Sequence, residues 1–270
     1  MTHNNLKIIF SDMDGTLLDK HEVLPSNFDE MMQDLAQRDI LFVGASGRSA
    51  KSMEYKFTKY YDNLYLICDN GAMVKYNNEI IHHDYFSHDE YLDIMHAIKQ
   101  IPNSTLSAVS KHLSYIQLGH DDLDPEMFME FYGDFKFVND IVSVDEEVHS
   151  IALFSYDTDT NIQHPIIEKL KEKYAVKRNG AEWINISLKH VNKGNTITQL
   201  LKKLDIDSKH AIAFGDFNND IEMLSVVHKG YAMKDAVPAL KAIADEVIGS
   251  NADNSVVKKI YEILGQTHEN

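Results

Sequence analysis

The chain has 270 residues, with 42 acidic against 26 basic side chains and a formal net charge of −16. That field disfavours nucleic-acid backbones and anionic membrane surfaces, both of which are bound through clustered Lys and Arg. No apolar run reaches the ~18 residues of a membrane-spanning helix. A hydrophobic content of 44% and a charged content of 25% leave ample material for a core, and the length suits two domains. Cys68 is the single cysteine, so no intrachain disulfide is possible, and it reads as a small buried strand residue. The opening Met-Thr-His-Asn-Asn-Leu-Lys has no apolar signal core, and a cytoplasmic location is expected.

Residues 8–18 read Ile-Ile-Phe-Ser-Asp-Met-Asp-Gly-Thr-Leu-Leu. The apolar run predicts a buried strand of a parallel sheet, and Asp12-Met13-Asp14-Gly15-Thr16 the loop at its carboxyl end. Pro25-Ser26-Asn27 opens an amphipathic segment to about Arg38, Ile40–Ala45 is a second buried strand, and Ala50–Tyr60 a second helix. Leu64–Cys68 is a third strand, ending at Asp69-Asn70-Gly71-Ala72. Strand and helix alternating in this way predict a doubly wound parallel sheet.

Between about Tyr85 and Leu188 the texture changes. A helix over His88–Gln100 precedes alternating runs at Ser114–Leu118 and His149–Phe154. A helix over His164–Tyr174 follows, then runs at Ala175–Arg178 and Trp183–Ser187. Alternation of polar and apolar positions predicts a mainly antiparallel sheet with one exposed face, in an inserted α+β domain. From Lys193 the α/β texture returns, with a helix over about Thr196–Leu204 and a strand over His210–Phe214. Short runs at Gly230–Met233 and Glu246–Ile248 and a closing helix over Ser255–Leu264 complete the chain.

Asp12 and Asp14 are two residues apart in an extended segment, so their side chains can face the same way. Like charges that close repel and raise each other's pKa unless a cation lies between them, and hard oxygen ligands point to Mg²⁺. The rival reading, an Asp-Gly turn closing a hairpin, lacks a matching second strand. Three further segments join this one in chain order: Ser46 in Gly-Ala-Ser-Gly-Arg-Ser, Lys193 in Val-Asn-Lys-Gly-Asn, and Gly215-Asp216-Phe217-Asn218-Asn219-Asp220. All but Lys193 fall at carboxyl ends of predicted parallel strands, where open α/β sheets bind ligands.

These motifs resemble those of the haloacid dehalogenase-like phosphatases, specifically the Cof-type subfamily with a type-IIB cap, over essentially the whole length. The resemblance rests on Asp12–Thr16, Ser46-Gly47-Arg48, Lys193-Gly194, Gly215-Asp216 and Asn219-Asp220, with echoes at Asp69–Ala72 and Ala252–Val256. Ser46 stands where Thr is common, keeping the hydroxyl, and Ser255 where Gly often precedes the Val. The resemblance implies an α/β fold: a doubly wound, Rossmann-like core over 1–84 and 189–270 with an inserted α+β cap over 85–188. It implies Asp12 as nucleophile forming an aspartyl-phosphate and Asp14 as acid/base. Mg²⁺ would be held by Asp12, Asp216 and the backbone carbonyl of Asp14. Ser46, Lys193 and Asn219 would bind phosphoryl oxygens with the amides of Met13 and Gly47, and Asp220 would orient Lys193 or metal-bound water. Arg48 could touch substrate or cap the cleft through an ion pair. The implied partner is a small phosphorylated metabolite, handled by a monomer or homodimer, with the cap closing over the site and selecting the leaving group.

Two other functions fit the same motifs: a sugar phosphomutase, and a non-catalytic phosphometabolite-binding module. The first needs basic cap residues to grip a second phosphate. Lys169, Lys171, Lys173, Lys177 and Arg178 read instead as a solvated helix face and the strand after it. The second is expected to have lost Asp12 or Asp14, and both are present. The 14 histidines show no i, i+4 pair of the helical zinc type, and Trp183 reads as sheet packing. His120-Asp121-Asp122-Leu123-Asp124 only superficially resembles a calcium loop: counted from Asp121, Glu126 stands at the sixth position, where such a loop needs Gly.

Overall fold

The computed structural model describes residues 5–60, 64–118, 128–129, 132–155, 162–179 and 183–265. The acidic stretch compared above with a calcium loop lies outside them. The strands are β1 (Ile8–Asp12), β2 (Leu41–Ala45), β3 (Tyr65–Cys68), β4 (Met73–Tyr76), β5 (Glu79–His83), β6 (Thr105–Ser110) and β7 (Ser114–Gln117). They continue with β8 (Phe135–Val138), β9 (Val148–Phe154), β10 (Tyr174–Asn179), β11 (Trp183–Leu188), β12 (Ala211–Gly215), β13 (Lys229–Ala232) and β14 (Glu246–Val247). The chain groups into two compact units, one of Met1–Gly47, Lys59–Glu79 and Asn192–Asn270, the other of Arg48–Thr58 and Ile80–Val191. The short helix Ala50–Lys56 therefore groups with the second unit, whereas the sequence expectation drew 1–84 as one piece.

In the first unit β1 is the hub. It pairs in parallel with β12 on one side (Phe10 opposite Ala213) and β2 on the other (Asp12 opposite Ala45). The sheet runs β14-β13-β12-β1-β2-β3-β4 through the unit, parallel except where β4 turns back on β3. The chain winds outward from β1 through β2 and β3, then returns to build β12, β13 and β14 on the other side. The switch in winding direction lies between β1 and β12, and the crevice beyond their carboxyl ends is where such sheets bind ligands. Ile8, Ile9 and Phe10 are completely buried, as expected of a strand covered on both faces. Cys68 is buried at the end of β3.

The helix expected from Thr196 begins earlier and spans Lys193–Lys203, because Asn192 accepts the Asn195 amide and caps its first turn. Lys193 thereby becomes the first helical residue instead of a loop residue. The second helix is shorter than expected, ending at Lys56. A helix over Ile221–Val226 was not expected; its six residues follow the acidic loop too closely for a period to show. Among the described residues no helix is long and apolar enough to cross a membrane.

The second unit holds a sheet in the order β10-β11-β9-β6-β7-β8. Its pairs are antiparallel except β7 with β8, which run parallel. One face packs Leu106, Ala108, Ile151, Leu153, Ile184 and Ile186 against helices His88–Ile98 and Pro165–Lys173. The other was expected to be exposed, but carries a second apolar cluster of Val109, Ile116, Phe128, Tyr132, Phe154 and Trp183. Serines in β6 hide this from the pattern: Ser107 is buried and lies 2.6 Å from the Tyr132 hydroxyl. Trp183 packs edge-on against Phe128 at 5.8 Å between ring centroids. His83 and His149 meet at 2.9 Å, and His82 and His190 both reach Asp84. Among the described residues no histidine joins a group close enough to hold a metal.

Trp183→Ala should cost about 3–5 kcal/mol of stability through the cavity it leaves among these rings. Chemical denaturation followed by circular dichroism checks this, and a loss below about 1 kcal/mol would contradict the packing described.

Candidate active site

The site is assembled in the first unit from the ends of β1 and β12, the loop after β2, and the start of helix Lys193–Lys203. Asp12 closes β1 at 6% exposure. Beyond it the chain folds back tightly: Leu17 donates its amide to the Asp12 carbonyl, and Thr16 and Leu18 donate theirs to Met13. Met13 is buried, while Asp14 is exposed. Gly15 sits at φ +78°, and a Cβ there would lie 2.5 Å from the Asp216 carboxylate. Only glycine allows both that backbone angle and that approach.

Lys193, with 0% of its side chain exposed, reaches into the sheet end and donates to Asp12 Oδ1 at 2.5 Å and Asp220 Oδ1 at 2.6 Å. The other oxygen of Asp220 accepts the amides of Asp216 and Phe217 at 3.0 and 3.1 Å. Asp220 therefore folds its own loop back and holds the lysine at once. This fold-back needs Gly215, where a Cβ would lie 2.6 Å from that of Asp220. Asp216 is steadied from across the crevice by the Thr16 hydroxyl at 2.9 Å. Asn251 adds a bond from its side chain to the Leu18 carbonyl at 2.7 Å.

Ser46 is buried at the end of the neighbouring strand; its amide donates to Ile67 and its carbonyl accepts from Asn70. Gly47, next in line, is exposed. Asn219 donates its side-chain amide to Asn70 Oδ1 at 2.8 Å. Arg48 groups with the second unit and points its guanidinium at Ser52, 3.4 Å away. Asp12, Asp216, Asp220, Lys193, Ser46, Gly47, Asn219 and the Asp14 loop thus all belong to the first unit. Thr16, Asn70 and Asn251 are participants to which the sequence alone gave no role, though the first two lie inside quoted motifs. A Thr or Asn beside a glycine gives no sign of which distant loop it will meet.

One carboxylate oxygen from each of Asp12, Asp216 and Asp220 lies within 4.8 Å of the others. Burial drives Asp12 well above the usual carboxylate range, the negative charge of Asp220 pushes the same way, and Lys193 opposes. Asp216 is raised by burial and then by Asp220. Burial disfavours the Lys193 charge, but Asp12 and Asp220 outweigh it and hold the ammonium above its ordinary value. One buried cation against three carboxylates leaves a net negative hole. The oxygen donors suit a hard divalent cation, and because Asp220 already serves Lys193 and two amides, Asp12 and Asp216 are the residues placed to hold it.

A family model for haloacid dehalogenase-like hydrolases matches residues 9–260. The chain belongs to that family. The 5-amino-6-(5-phospho-D-ribitylamino)uracil phosphatase YbjI of Escherichia coli (strain K12) is 25% identical over 96% of this chain and 97% of that protein. The crystal structure of SMU.1108c from Streptococcus mutans UA159 superposes with a TM-score of 0.85 at 26% identity, covering 97% of this chain and all of that one. The subclass IIB sugar phosphatase BT4131, 21% identical with a TM-score of 0.78 over 95% of this chain and 99% of its own, shares the fold. The α/β architecture expected for a haloacid dehalogenase-like hydrolase is therefore the one this chain adopts.

The raised carboxylates carry a pH consequence. A group whose folded pKa exceeds its unfolded value stabilises the fold below the unfolded pKa and loses that contribution as pH rises through the folded one. The metal-free hydrolase is therefore handicapped at neutral pH, where a cation between Asp12 and Asp216 would relieve it. Added Mg²⁺ should raise Tm clearly at neutral pH and little near the ordinary carboxylate pKa of about 4. A thermal melt at both pH values checks this, and equal shifts would contradict it.

Proposed function

We propose that the chain is a cytoplasmic, Mg²⁺-dependent phosphatase that hydrolyses small phosphorylated metabolites, sugar or cofactor phosphates, through an aspartyl-phosphate on Asp12. The observation that carries this is the placement of Asp12. It is a nearly buried carboxylate at the sheet's switch point, with Lys193 fixed on one oxygen and Asp216 beside it.

The remaining roles follow from the chemistry each residue offers. The Asp12 carboxylate attacks phosphorus and the bond to the leaving oxygen breaks. Asp14 gives that oxygen a proton and then takes one from the water that attacks the phosphorus of the aspartyl-phosphate. Its exposed position suits a group that trades protons with leaving group and solvent, a contribution worth about 10²–10⁴ in rate. Lys193 orients Asp12 and presents positive charge to the phosphoryl oxygens, and Asp220 keeps the lysine in place. The Ser46 hydroxyl, the amides of Met13 and Gly47, and the Asn219 side chain complete a cradle of neutral donors. Mg²⁺, held by Asp12, Asp216 and the Asp14 carbonyl, would supply the positive charge that lets an anionic nucleophile meet an anionic phosphate. Positive charge confined to the site reconciles phosphate binding with a chain of net charge −16. The phosphorylated ribitylaminouracil named for the Escherichia coli relative belongs to the metabolite class proposed.

The test is phosphate release from a panel of sugar phosphates, nucleotides and cofactor phosphates. Turnover should require Mg²⁺, stop with EDTA, and fall at least about 10³-fold in Asp12→Asn. No release from any compound by the folded, Mg²⁺-loaded protein would contradict the proposal, as would undiminished turnover by Asp12→Asn.

A further inference from the structure

Asn70 sits where three loops of the site meet. Its amide donates to the Ser46 carbonyl at 3.0 Å, and its side-chain oxygen accepts from Asn219 at 2.8 Å. Its carboxamide lies flat against Gly47, where a Cβ would come within 3.1 Å of Nδ2 and 3.2 Å of Oδ1. The turn that carries it is bound to the first turn of the Lys193 helix, because Thr196 donates its hydroxyl to the Gly71 carbonyl at 2.7 Å. A Cβ on Gly71 would collide with Thr196 and with the Asn192 carbonyl.

The backbone here is strained. Asp69 and Asn70 both occupy the left-handed region, at φ 50° and 56°, and Gly71 follows at φ 104°. Asn and Asp tolerate that region better than other side chains, but two in succession still cost free energy that surrounding contacts must offset. What the strained conformation achieves is to aim one carboxamide at Gly47 and Asn219 together.

We propose that Asn70 is a positioning residue for phosphate binding, locking the Asn219 carboxamide and the Gly47 backbone into one rigid cradle. The inference rests on the reading above, in which Gly47 and Asn219 bind phosphoryl oxygens. Because Asn219 Nδ2 donates one hydrogen to Asn70, its amide plane is fixed. The second hydrogen of the same nitrogen is the donor a phosphoryl oxygen would take. Without Asn70 that carboxamide rotates, and the donor must be re-ordered by each substrate that binds.

Asn70→Gly separates side chain from backbone, since glycine keeps the left-handed angle without strain and removes only the carboxamide. Inorganic phosphate is the probe, its affinity measured by calorimetry in Mg²⁺ buffer, alongside kcat and KM for p-nitrophenyl phosphate. Asn70→Gly and Asn219→Ala should each weaken phosphate about tenfold and raise KM by a similar factor, with kcat changed far less. The double variant should lose clearly less than the product of the two single losses, because the Asn219 donor is common to both. Wild-type phosphate affinity in Asn70→Gly, or losses that multiply in the double variant, would overturn the proposal. So would a loss in kcat alone with unchanged phosphate affinity. A wild-type protein that binds phosphate yet releases none from any monoester overturns the phosphatase reading separately.

Discussion

The buried ammonium of Lys193 between Asp12 and Asp220 is the contact on which the site depends. Removing either partner from a buried ion pair leaves an uncompensated charge and costs about 3–5 kcal/mol. The lysine therefore forces three segments far apart in sequence to one point: the end of β1, the end of β12, and the first turn of the Lys193–Lys203 helix. Well-packed apolar residues in place of a buried ion pair are often as stable or more so. The charged residue makes sense at a place that must greet an anion.

The same constraint explains the glycines around it. Gly15 and Gly215 sit where backbone must come within a Cβ's width of Asp216 and Asp220. Each lets a carboxylate approach a loop that a larger residue would push away. The parallel pairing of β1 with both β2 and β12 brings Asp12 and the Asp216 loop to adjacent strand ends and Ser46 just past a third. The sheet supplies the coarse alignment, and the lysine and glycines supply the last few ångströms.

Much of this was legible in the sequence, for identifiable reasons. Strands buried on both faces write continuous apolar runs, so β1, β2, β3 and β12 stood out, and the chemistry-bearing residues stood out by following them. The resemblance to the haloacid dehalogenase-like family joined the motifs into one site, and the fold agrees. Less legible were features that depend on partners remote in the chain. Lys193 heads its helix because Asn192 caps it, not because the apolar period begins there. The second face of the sheet in the second unit is covered by Phe128, Tyr132 and Trp183, while buried serines in β6 imitate a solvated face. Asn70 lay in plain view in Asp69-Asn70-Gly71, yet its pairing with Asn219 spans 149 positions, and no local pattern announces it.

In the mechanism proposed here Asp12, held by Lys193, takes the phosphoryl group. The most direct measurement is to quench the enzyme during turnover, reduce any acyl phosphate with borohydride, and find the altered residue by mass spectrometry. Asp12 should be converted to homoserine, dependent on substrate and not in Asp12→Asn. Reduction at another carboxylate, or none in an enzyme that is turning over, would contradict it.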